Sequence, residues 1–167
     1  MTTKEYVADD AEKIGNHPLN GDEYKLAFEM PSGKKRAVKG FHPEKLADSA
    51  NRMVNQELNR IAALEPYKEA VKNLLNVALT QDGSGAQAAA QVLLSAYNGI
   101  DYQLNVPDLC NLDQVNFKYV QEIFAGRVHT FKEPQTVIEN GQKKFSELEE
   151  RWLGLHVSNR YKYHYEQ

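Results

Sequence analysis

Cysteine is nearly absent: Cys110 is the single one in 167 residues. No intramolecular disulfide can form, and no cysteine-based zinc site can be assembled. That fits a reducing compartment, so a cytoplasmic protein is expected. Long apolar runs are missing too. No stretch approaches the roughly 20 residues that span a bilayer, and the leading MTTKEYVADDAEK has no apolar signal core. No membrane partner is therefore expected. The histidines His17, His42, His129, His156 and His164 are scattered, with no i, i+4 pair. The glycine-containing DGSGAQ lacks the lysine and the preceding buried strand of a phosphate loop. No cofactor and no metal are expected. A strong excess of one charge sign is also lacking, since the net charge is −3. This argues against a general polyanion binder but leaves room for a local basic patch.

What is present suits an ordinary globular chain. Apolar residues make up 41 % and charged residues 26 %, close to the averages of folded domains. The length is enough for one domain with a real core, and one domain over 1–167 is expected. Charge is unevenly placed. Residues 1–30 hold three lysines against seven acids, whereas 31–41 hold Lys34, Lys35, Arg36 and Lys39 with no acid. Residues 1–22 thus read as an acidic lead, and 23–41 as a β-hairpin with a basic tip. Tyr24, Leu26 and Phe28 alternate with charged or small residues, the period of a half-buried strand. Pro31-Ser32-Gly33 has turn chemistry, and Ala37 to Phe41 returns as a weaker strand.

From 44 to 153 the pattern is helical. HPEKLADSANRMVNQELNRIAALEP places Leu46, Ala50, Met53, Val54, Leu58 and Ile61 on one face, with Pro43 suited to a first helical position. Pro66 predicts a break, after which Tyr67, Val71, Leu74, Leu75 and Ala78 mark a second helix. Ser84 can cap a third, whose face is Ala86, Ala90, Leu93, Leu94 and Tyr97. Asn98-Gly99 supplies left-handed residues to end it. A corner follows, with Tyr102, Leu104 and Val106 extended, Leu109 and Leu112 as core plugs, and Asp113 as the cap of the next helix. That helix has Val115, Tyr119, Val120, Ile123 and Phe124 on its face. Ile138, Gly141, Phe145, Leu148 and Trp152 then recur at steps of three and four, and Phe145, Leu148 and Trp152 are expected to pack against the Ala-rich helix. The expected fold class is α+β, mainly α, with about five helices and an N-terminal β-hairpin. The tail 158–167 is a candidate third strand.

Two surfaces are candidates for binding. The hairpin tip, Lys34, Lys35, Arg36 and Lys39, can contact phosphates; equally, such lysines keep an edge strand from pairing. The tail sets Arg160 and Lys162 among Tyr161, Tyr163 and Tyr165. Aromatics interleaved with bases can stack on single-stranded nucleic acid, add to a sheet edge, or pack within the molecule. Asp101, Asp108 and Asp113 around the corner match no metal loop and sit at turn and cap positions. Cys110, between Leu109 and Leu112, reads as a small buried residue.

The Ala/Leu helix, Tyr97-Asn98-Gly99, DLCNLD, the helix to Arg127, and the closing Gly141, Phe145, Leu148 and Trp152 together resemble a small uncharacterised bacterial family. The resemblance covers about residues 84–153. It implies a gene carried on plasmids, prophages or integrative conjugative elements, and brings no catalytic residue with it. The function expected is a non-enzymatic protein-interaction module of a mobile element, with inhibition of a host defence complex or assistance in conjugation as its roles. A host or element-encoded protein is the expected partner. The alternative is a nucleic-acid-binding accessory protein using the basic tip and tail. A homodimer face on the Ala-rich helix also stays open.

Overall fold

A computed structural model describes residues 4–160 and 162. Three strands, β1 (Glu12–His17), β2 (Gly21–Glu29) and β3 (Lys35–Gly40), precede five α-helices. These are α1 (Pro43–Thr80), α2 (Ser84–Tyr97), α3 (Gln114–Thr130), α4 (Gly141–Arg151) and the single turn α5 (Val157–Arg160). The fold is α+β and mainly helical. The chain forms two compact units, Met1–Ile61 and Ala62–Gln167.

The first unit is an antiparallel sheet in the order β1-β2-β3, packed on the start of α1. Gly33, at φ +79°, closes the β2–β3 turn, with its N–H donating to the Met30 carbonyl at 2.8 Å. Leu26 pairs with Val38 and Phe28 with Arg36. Leu26 and Phe28 are buried against Leu46, Ala47, Ala50 and Val54, each contributing about 1.5–3 kcal/mol. The third strand comes from the acidic lead; of the tail proposed for it, residues 158–160 are helical, and 161 and 163–167 lie outside the described residues. The strand's sequence EKIGNH hides it from a search for alternating apolar residues, because β1 is held by backbone pairing to β2 and buries no side chain. Asn51 fixes the segment before it: Tyr6 N–H donates to Asn51 Oδ1 at 2.9 Å, and Asn51 Nδ2 donates to the Tyr6 carbonyl at 2.8 Å.

The second unit packs the rest of α1 with α2, α3 and α4 around Tyr67, Val71, Leu74, Leu93, Leu94, Ile123, Phe145 and Leu148. Pro66 does not break α1. A proline removes one helical hydrogen bond, here to the Ala62 carbonyl. Immediately after it, Tyr67, Ala70, Val71 and Leu74 are fully buried, and that burial outweighs the lost bond. The Ala-rich face of α2 is used inside this core, with Ala86, Ala88, Ala89 and Ala90 all buried. Gly85 approaches the Asn111 carbonyl, and Arg127 Nε donates to the Ala96 carbonyl at 3.0 Å. The end of α3 is thus tied to the end of α2, and the turn that precedes α3 lies against the start of α2.

Several local expectations are corrected. Gly83, at φ +95°, is the N-cap of α2, and Ser84 is its first helical residue. Neither Asn98 nor Gly99 is left-handed. Instead the Asn98 side chain ends α2, its Oδ1 accepting from the N–H groups of Ile100 and Asp101. Phe145 meets Tyr97 of α2 with ring centroids 5.3 Å apart, whereas Trp152 Nε1 donates to the Ala78 carbonyl of α1 at 2.9 Å. Ile61, Val115 and Phe124, placed by their spacing on helix core faces, are exposed, as are Val106 and Cys110.

Candidate functional site

Helix α3 carries apolar side chains on two faces. Val120 and Ile123 enter the core. Phe117, Phe124 and Val128 point outward, followed by Phe131 at the C-cap. With Gln121 these positions recur at steps of four and three, the spacing of a continuous helical seam. Phe131 is 83 % exposed and left-handed at φ +58°. Bulky residues rarely adopt that conformation, and helix ends normally use glycine or asparagine there. On the neighbouring side of α3 lies an open cleft of about 740 Å³ facing α1. Pro66, Val115 and Tyr119 form its apolar part, Glu65, Glu69 and Glu122 its acidic part, and Gln114 and Lys118 complete the lining. Lys68 already pairs with Glu65.

The family of unknown function DUF7673 matches residues 68–153. The chain belongs to DUF7673. The DUF7673 segment begins earlier than the 84–153 resemblance and takes in the buried part of α1. All of α3, the outward stripe included, lies within it. No curated protein and no solved structure matches the chain.

The corner at the end of the DUF7673 α2 receives the short helix α5. Val157 N–H donates to the Asp101 carbonyl at 2.9 Å, and Arg160 donates to the Gln103 carbonyl at 3.2 Å and to Asp108 Oδ2 at 3.1 Å. His156 lies edge-on to the buried Tyr102 ring, 5.4 Å between centroids. Ser158, His156 and Asp101 stand in the order of a hydrolytic triad. However, His156 Nδ1 accepts the Ser158 backbone N–H at 3.2 Å as well as facing its Oγ at 2.7 Å. The ring thus caps α5. Asp101 Oδ1 is 3.9 Å from Nε2, beyond hydrogen-bond distance. Asp113 accepts the Asn116 N–H at 2.8 Å as the N-cap of α3. The three aspartates of the corner are therefore engaged in holding chain segments.

Lys34 follows the β2–β3 turn. Lys35 and Lys39 face outward on the edge strand β3, opposite Glu29 and Lys25, while Arg36 is on the other face, opposite the buried Phe28. Arg160 is tied to the corner, and Lys162 is exposed. Tyr161, Tyr163 and Tyr165 lie outside the described residues. Among the described residues no three His, Cys, Asp or Glu side chains gather to hold a metal ion, and no helix is long and apolar enough to cross a membrane. Sequence spacing missed the α3 stripe. The signal available was a second set of aromatics, Phe117, Phe124 and Phe131, each seven residues apart.

Proposed function

We propose that this chain acts as a non-enzymatic protein-interaction module. The observation that carries the reading is the outward stripe of Phe117, Phe124, Val128 and Phe131 on a helix whose opposite face is fully packed. Contiguous apolar surface bordered by polar residues marks an interaction site more often than a monomer surface. The left-handed Phe131 strengthens it, because a strained bulky residue held in solvent works against stability and is best explained by use of its ring. A mobile-element setting, with a host or element-encoded protein as target, belongs to the same proposal. Binding of nucleic acid needs the bases to converge, and within the sheet Arg36 stands on the face opposite Lys35 and Lys39.

The test is affinity capture from the source cell's lysate before and after nuclease treatment, with mass spectrometry. A stoichiometric protein retained after nuclease is the expected result. Recovery of nucleic acid, with all proteins lost on nuclease treatment, would overturn the reading.

A further inference from the structure

The seam on α3 has a length, a width and a charged border, and together these describe what fits it. Phe117 to Phe131 spans fifteen residues, about 21 Å or four helical turns. With Phe117 41 %, Phe124 39 %, Val128 65 % and Phe131 83 % exposed, the open apolar area is on the order of 400 Å². A stable dimer buries about 800 Å² on each partner, so the seam by itself is about half of what self-association needs. One docked helix matches it.

The border is basic at the C-terminal end of the seam, where Arg127 lies along one side, donating to the Ala96 and Phe131 carbonyls. Lys132 follows directly on Phe131. Among the described residues no carboxylate lies within ion-pair distance of Lys118, Arg127 or Lys132. Lys118 and Glu122, one helical turn apart, line the neighbouring cleft with Glu65 and Glu69. Acidic side chains on a partner would satisfy the basic border.

We infer that α3 is a docking site for one amphipathic helix of a partner protein, with apolar residues at alternating three- and four-residue steps and acidic residues beside them. This rests on the interaction reading above and adds the partner's chemistry.

The experiment uses the full chain and two labelled synthetic helices four turns long, sharing one Leu/Phe stripe. One carries glutamate and the other lysine at the flanking positions. Binding is followed by fluorescence anisotropy, with sedimentation of the chain alone as a parallel measurement. The glutamate helix should bind roughly tenfold tighter than the lysine helix, with the gap narrowing as salt is raised. Phe124→Glu should abolish binding of the glutamate helix, and Lys132→Glu should reduce the preference. Circular dichroism confirms that Phe124→Glu is folded; Val128→Glu, at a more exposed position, replaces it otherwise. Equal binding of both helices, binding of neither, or a dimer of the chain that Phe124→Glu dissociates would each overturn the inference. If the nuclease-resistant partner is captured equally by wild type and Phe124→Glu, the interaction reading stands and α3 docking falls. If no protein is captured and neither helix binds, both fall.

Discussion

Gly126 of α3 lies directly on the ring of Tyr67: a β-carbon at 126 would stand 2.2 Å from Tyr67 Cγ. Tyr67 is fully buried, and its hydroxyl donates to the Lys132 carbonyl at 3.0 Å, so the ring cannot retreat without losing that bond. Alanine at 126 improves helix propensity by about 1 kcal/mol, but forcing a methyl group into this contact costs more. Gly126→Ala is expected to lower unfolding stability by a net of about 1–3 kcal/mol, read from denaturant midpoints at unchanged slope.

Burial pushes the Tyr67 phenol up from 10.0 to about 12. The folded state therefore holds this proton more tightly than the unfolded state does. The associated stability is fully present below pH 10 and is lost as pH rises from 10 through 12, by at most about 2–3 kcal/mol. Tyr67→Phe should cost about 1 kcal/mol at neutral pH through the lost hydrogen bond. It should also flatten the alkaline fall. Denaturation of both proteins across that pH range, compared as a difference, checks the sign.

Asp113 is the N-cap of α3, and its carboxylate also accepts the Asn116 side-chain amide at 2.8 Å. Asp113→Ala should lower stability by about 1 kcal/mol, and Asp113→Asn by much less, since asparagine caps as well as aspartate. A thermal melt of the three proteins separates a capping role from a purely electrostatic one.

Asp113 was legible in the sequence because a cap is a local device, complete within three residues. So were the Gly33 turn, the Leu26/Phe28 alternation, and Phe145 and Leu148 at helical spacing. Pro66 was misread for the same reason in reverse. The rule against proline is local, but burial of Tyr67 and Leu74 is not, and it is the larger effect. Strand β1 was missed because its partner, β2, supplies the pairing and its own side chains supply no pattern. The α3 surface shows a further limit. Val115 and Phe124 fall at the same helical period as Val120 and Ile123, and period alone cannot tell an inward face from an outward one when both are apolar. Cys110 sits between two leucines that do touch the core, yet its own side chain is outside.

Trp152 is the chain's one tryptophan, and its indole is fastened to the Ala78 carbonyl inside the unit Ala62–Gln167. Its fluorescence is therefore an address. Emission reports the melting of that unit alone, while the sheet-bearing unit, whose only large chromophores besides phenylalanine are Tyr6 and Tyr24, is silent to it. Far-ultraviolet dichroism sees the helices and strands of both. One unlabelled sample, heated once and watched by the two signals, counts the folding units of the molecule: a single curve for one, a displaced pair for two.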